Sequence, residues 1–151
     1  GGGCEIVLAC DMRIAADDAL IGLTETRIGV IPGAGGTQRL PRYISCALAL
    51  ELMMTGEPIS GARAAEIGLV NAAVPLARLD ARALELAKLL ASRSPLGLRA
   101  IKKLVYDGLE LPMREGLRRE RESLLRILGS TDYAEGLSAF AEKRPPKFKG
   151  L

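Results

Sequence analysis

A proline set among glycines divides this chain into two kinds of sequence. In Ile28-Gly29-Val30-Ile31-Pro32-Gly33-Ala34-Gly35-Gly36, four glycines fall within eight residues. Pro32 has a fixed φ and no N–H, so a regular helix cannot run through it. The glycines admit positive φ values that other residues avoid. Any fold for this chain must accommodate a tight, irregular loop here. Before the loop lie glycines and short apolar runs; after it, helical periodicity takes over.

Ahead of the loop, a short buried helix is predicted over residues 3–10 and strands over 12–16 and 20–23, with Asp17-Asp18 as the turn between them. Beyond it, Thr37-Gln38-Arg39-Leu40 begins a short helix that Pro41 should interrupt or reshape. Ser45 caps a helix running to Thr55 and ended by Gly56, and Ser60 caps a shorter one ended by Gly68. A strand over 69–74 stops at Pro75. Longer helices are predicted over 80–92, 94–106, 112–128 and 132–142. The first should bury a stripe of Leu79, Ala83, Leu86, Ala87 and Leu90. The expectation is one compact unit, with an α/β head of three short strands and a helical body.

Composition narrows the chemistry. Hydrophobic residues make up 48% and charged residues 26% of the 151, as in a folded globular chain. Aromatics are 3% and Trp is absent, so Leu, Ala, Ile and Val must form the core. Histidine is absent, which removes Ser-His and Cys-His nucleophilic pairs and the commonest metal ligand within the chain. Acid–base work must fall to Glu, Asp, Lys, Tyr or Cys. Cys4, Cys10 and Cys46 form no CxxC pair and read as buried free thiols of a reducing compartment, not as a disulfide frame or zinc site. No apolar run reaches the ~18 residues that span a bilayer. A net charge of +3 suits a small anionic ligand without arguing for nucleic acid.

Two carboxylates stand at boundaries between apolar runs and loops. Glu5 follows Gly1-Gly2-Gly3-Cys4 and precedes Ile-Val-Leu-Ala-Cys; Glu25 precedes the Pro-Gly block. Glycines let a backbone approach a ligand, and a helix starting there offers free N–H groups to negative charge. A lone Glu is ordinarily a solvated surface residue. At the mouth of an apolar run it can be partly desolvated and suited to proton transfer. The loop Gly33-Ala34-Gly35-Gly36 lacks the third glycine of a dinucleotide fingerprint and the Lys-Ser/Thr of a P-loop. Its pattern fits a packed turn as well as the wall of a ligand site. The glycine turn stands at position 1, with no strand before it to position it. The chain therefore reads as the back part of a larger domain.

Several motifs together resemble the enoyl-CoA hydratase/isomerase (crotonase) superfamily. They are Gly1-Gly2-Gly3-Cys4-Glu5, Ala9-Cys10-Asp11, the block from Ile31 to Arg42, Ala64-Ala65-Glu66-Ile67-Gly68-Leu69-Val70, and the run from Glu135 to Phe148. The resemblance implies an α/β fold, the C-terminal part of the crotonase ββα spiral over 1–75, and a helical trimerisation region over 76–151. It implies an acyl-CoA substrate carrying its own coenzyme A, with no further cofactor and no metal. Gly2 matches one of two oxyanion N–H groups, the other being expected upstream. Glu5 matches the residue that activates water, Glu25 the one that protonates the α-carbon, and Gly33 a backbone position that helps hold the water. Lys143 matches a lysine that meets coenzyme A phosphates. A homotrimer or dimer of trimers is implied, in the cytoplasm or, for a eukaryotic protein, the mitochondrial matrix.

Thr24 stands before Glu25 where many hydratases carry proline, as in the branch that includes methylglutaconyl-CoA hydratases. Isomerase or decarboxylase chemistry, or a non-catalytic assembly role, are the alternatives. The helix around Arg114, Arg118, Arg119 and Arg121 invites comparison with an RNA-binding relative, but its interleaved glutamates favour a solvated, charge-paired face.

Overall fold

A computed structural model describes residues 1–151, whose contacts form two compact units, Gly1–Leu84 and Glu85–Leu151, where the sequence led us to expect one. The break falls inside a helix, so periodicity carried no mark of it.

In the first unit, α1 (Gly2–Leu8) leads into β1 (Ile14–Ala16) and β2 (Leu20–Ile21). A 3₁₀ turn (Glu25–Ile28) and the Pro-Gly loop follow, then α2 (Gly36–Tyr43) and α3 (Cys46–Thr55). β3 (Ile59–Ser60), α4 (Gly61–Glu66), β4 (Ala72–Val74), a 3₁₀ turn (Leu76–Arg78) and the start of α5 (Leu79–Ala91) complete it. The strands number four, not three, and form two separate ribbons: β1 parallel to β4 and β2 antiparallel to β3. β3 escaped notice because two residues carry no alternation to read. The expected strand over 69–74 shrinks to β4, because the Leu69 and Val70 N–H groups both turn back to the Ala64 carbonyl.

Capping follows the sequence closely. Ser45 accepts from Leu48 N–H and Ser60 from Arg63 N–H, and Gly56 closes α3 at φ 67°. Pro41 does not break α2. It costs a short helix one hydrogen bond, and Ile44 N–H still reaches the Leu40 carbonyl at 3.2 Å. α4 is pressed onto the β1–β2 turn: Gly61 and Ala62 donate to the Ala19 and Asp17 carbonyls. A Cβ on Gly61 would lie 1.9 Å from the Ala16 carbonyl oxygen, so only glycine permits this approach. Leu8, Leu23, Leu40, Ala49, Ala64 and Leu69 form the centre of the core.

The second unit holds the rest of α5, α6 (Pro95–Leu109), α7 (Met113–Leu128) and α8 (Thr131–Ala141). Ser94 and Ser130 cap α6 and α8, and Pro95 takes the first helical position. The stripe expected to be buried on α5 is not: Leu79, Leu86 and Leu90 are half-buried, while Ala83 and Ala87 are exposed. Periodicity identifies an apolar face but not whether another layer covers it. On α7, Leu117, Leu124, Leu125 and Leu128 are likewise exposed. Two of its arginines are charge-paired, Arg118 with Glu115 and Glu122, and Arg119 with Glu115.

The C-terminal segment is held by two carboxylates of α8. Asp132 accepts from Ser94 Oγ at 2.7 Å and from the Lys149 and Gly150 N–H groups at 2.8 and 3.0 Å. Burial opposes its charge, yet these donors outweigh that and hold its pKa below the ordinary value. Glu135 takes both arms of the Arg144 guanidinium and the Lys147 N–H. Arg144 foremost, then Lys147 N–H, draw its pKa from 4.5 to about 2. A folded value below the unfolded one means that its contribution is present above pH 4.5 and lost as pH falls towards 2. Amide exchange measured by NMR should show Lys147 N–H protected at neutral pH and unprotected near pH 2. Glu135→Ala should remove that protection at neutral pH.

Candidate active site

The site begins at the first turn of α1. The first hydrogen bonds inside this helix run from Cys4 and Glu5 to the Gly1 carbonyl, so the Gly2 and Gly3 N–H groups precede the first intrahelical donor. Both glycines are exposed, and a Cβ built on either meets no atom within 4 Å. The helix therefore starts with open space beside its free donors.

Glu5 lies one turn in and is only 5% exposed. Its Oε1 accepts the Ala34 N–H at 2.8 Å and the Gly36 N–H at 2.9 Å. The Pro-Gly block is shaped around this carboxylate. Gly35 caps α2 at φ 107°, a left-handed conformation suited to glycine. A Cβ on Gly36 would lie 2.8 Å from both Leu23 and Pro32 and 3.1 Å from Glu5 Oε1. The two N–H donors occupy Oε1 as an acceptor, so any proton that Glu5 carries sits on Oε2. Gly33 is exposed, and only the Ile31 carbonyl lies near its Cβ position, at 3.9 Å. Sequence reasoning singled out Gly33 but missed Ala34 and Gly36, the residues that grip Glu5. The clustered glycines marked the loop, but which N–H points where depends on tertiary placement.

Glu25 opens the 3₁₀ turn, with its side chain 14% exposed. Its Oε1 is 3.7 Å from the Gly1 backbone nitrogen, and its Oε2 is buried with no hydrogen-bond partner. The turn rests on the end of α3: Thr26 Oγ1 donates to the Met53 carbonyl at 3.1 Å, and Arg27 pairs with Glu57 at 2.6 Å. Gly56 is confined there, since a Cβ would meet Thr26 Oγ1 at 3.0 Å.

Cys4 shows that the carboxylates share one neighbourhood. Burial pushes its thiol pKa up, and the charges of Glu25 and Glu5 raise it further. Beside these residues opens a cavity of about 620 Å³, lined by Gly1, Gly3, Cys4 and Thr24 and by apolar side chains such as Leu20 and Val7. The arrangement offers free N–H donors, two carboxylates of unlike surroundings, and an apolar hollow.

Lys143 lies in the second unit, exposed, directly after α8. Its φ of 54° makes it the one non-glycine residue at positive φ. It sits where a helix end usually carries glycine, with Lys143 N–H bonded to Phe140 O and Arg144 N–H to Ala139 O.

A fold of short ribbons and helices that sets two carboxylates beside a glycine-started helix defines a class, and comparison identifies it. The sequence model of the Enoyl-CoA hydratase/isomerase family matches residues 1–151, and the chain belongs to that family. The chain is 46% identical over 154 residues to enoyl-CoA hydratase domain-containing protein 2, mitochondrial, of Mus musculus, covering 99% of this chain and 52% of the relative. It is 42% identical over 154 residues to methylglutaconyl-CoA hydratase, mitochondrial, of Rattus norvegicus, covering 99% of this chain and 49% of that protein. The crystal structure of an enoyl-CoA hydratase from Bacillus anthracis superimposes with a TM-score of 0.97 at 46% identity, over 100% of this chain and 58% of that one. The chain thus spans about half the length of the curated relatives that it matches.

Proposed function

We propose that the protein carrying this chain is an enoyl-CoA hydratase, which adds water across the 2,3 double bond of a 2-enoyl-CoA thioester. The observation that carries this reading is the unequal pair of carboxylates: Glu5, with Oε1 pinned by the Ala34 and Gly36 N–H groups, and Glu25, with Oε2 buried and unpartnered. Glu5 Oε2 takes a proton from water as the water oxygen bonds to the β-carbon. The π electrons move through the α-carbon to the thioester oxygen, where the Gly2 N–H meets the developing charge. Such a donor is worth ~3 kcal/mol in the transition state. Glu25 then gives a proton to the α-carbon, and exchange with solvent returns both carboxylates to their starting states. Gly33 lends its backbone to holding the water. The substrate brings coenzyme A, and the chemistry asks for no further cofactor.

Paired glutamates favour hydration over the isomerase or decarboxylase chemistry of relatives that keep only one, and over a purely structural assembly role. Thr24 stands before Glu25 as in the branch that includes methylglutaconyl-CoA hydratases, so methylglutaconyl-CoA is the alternative substrate. The exposed leucines of α7 support assembly as a homotrimer or dimer of trimers through the second unit. The cysteines are free, with Cys10 and Cys46 exposed where burial was expected and Cys4 half-buried; free thiols suit a reducing compartment, the cytoplasm or, for a eukaryotic protein, the mitochondrial matrix.

In the protein carrying this chain, Glu5→Gln and Glu25→Gln should each lower kcat by about 10² to 10⁴ with the fold intact. Retained hydration of crotonyl-CoA by either variant removes that residue from the mechanism. Lys143, in our reading, meets coenzyme A phosphates, which accounts for a lysine held in a strained backbone conformation. Lys143→Gly should then stabilise the fold by ~1 kcal/mol on thermal denaturation while raising KM. A KM that stays put ends the phosphate assignment. We further infer that this chain supplies the C-terminal part of a crotonase ββα spiral and one N–H of the oxyanion pair. Assayed alone, it should hydrate crotonyl-CoA at under ~1% of the rate of the whole protein, since losing one oxyanion donor costs about 10² to 10³. Robust turnover by the isolated chain would refute this.

A further inference from the structure

The side chain of Arg13 is buried, with 8% of the residue exposed, although it serves no step of the proposed reaction. A buried cation is costly unless its donors are met. Its partners are two carbonyl oxygens and an aromatic face: Nε donates to Leu69 O at 2.7 Å, Nη1 donates to Cys10 O at 2.7 Å, and the guanidinium lies 3.9 Å from the centroid of the Tyr43 ring. Its backbone is tied as well, with Arg13 N–H donating to Asn71 Oδ1 and Asn71 N–H returning to the Arg13 carbonyl.

Cys10 O lies in the turn that ends α1, where backbone carbonyls lack helical donors and the helix dipole is negative, so a guanidinium there is favoured twice. Tyr43 reaches the same end, its hydroxyl donating to Leu8 O at 3.2 Å. Tyr43 is the last residue of α2, and Gly36, whose N–H holds Glu5, is the first. α2 therefore grips α1 at two places one turn apart, Glu5 through its first residue and Leu8 through its last. Arg13, stacked on Tyr43 and tied to Leu69, locks the second grip to the body of the unit.

We propose that Arg13 and Tyr43 are positioning residues for Glu5, fixing the end of α1 so that the carboxylate stays on the Ala34 and Gly36 N–H groups. The catalytic consequence rests on the hydratase reading above; the geometric one does not. Arg13→Lys keeps the charge but loses the fork and the planar stack, and Tyr43→Phe keeps the ring but loses the bond to Leu8. Neither should abolish folding. In the protein carrying this chain, amide exchange followed by NMR should quicken at Ala34 and Gly36 by about tenfold in each variant, while Ala49 and Leu52 in α3 exchange as before. Against enoyl-CoA, kcat should fall about tenfold with KM unchanged, the pattern of a displaced catalytic group. Unaltered exchange at Ala34 and Gly36, or an equal rise throughout α3, overturns the proposal. So does an unchanged kcat alongside faster exchange. Should the parent protein hydrate no enoyl-CoA, the function proposed above fails, and the exchange measurement still decides this one.

Discussion

The first unit depends on one carboxylate that accepts two backbone N–H groups. Glu5 is nearly enclosed, and burying a carboxylate is costly unless donors meet it. Ala34 and Gly36 meet it at 2.8 and 2.9 Å. That demand sets the shape of the Pro-Gly block: a left-handed Gly35, a Gly36 with no room for a Cβ, and Pro32 packed against the same point. It also sets where α2 begins, and hence where Tyr43 ends. A hydrogen bond to a charged group contributes roughly 1.5–3 kcal/mol, and two of them converge on one oxygen. Both bonds fall on Oε1, which sets the two oxygens of this carboxylate apart.

Glu25 is placed by different means. No N–H group grips its Oε2; the segment carrying it is instead templated along residues 53–60. β2 pairs with β3, Gly22 lies against Pro58, and Thr26 and Arg27 fasten to Met53 and Glu57. One carboxylate is held through its oxygen and the other through its backbone. The proposed division of acid–base tasks calls for carboxylates in unlike surroundings, and these two have them.

In the second unit, polar contacts to the C-terminal segment do much of the ordering. Of its residues, only Asp132 and Ala139 are buried, and Asp132 is a carboxylate saturated with donors. Helical periodicity located every helix here to within a few residues, yet it overstated burial along α5. A stripe records which face is apolar, while coverage of that face depends on neighbours that local sequence does not name.

Much was legible in the sequence because the signals were local. Ser45 and Ser60 cap the helices they precede, Gly56 ends α3, and Pro32 excludes helix from the loop, each through the conformational limits or hydrogen bonding of a few adjacent residues. The family, too, was written in contiguous motifs, together with the candidate residues Glu5 and Glu25. Tertiary structure alone decided the rest. It brought Ala34 and Gly36 to a carboxylate some thirty residues away, buried one oxygen of Glu25 without a partner, and set Arg13 between Leu69, Cys10 and Tyr43. It also divided the chain within α5. Local sequence encodes how a segment can bend and what caps it, whereas which distant groups satisfy one another is settled only when the whole unit packs.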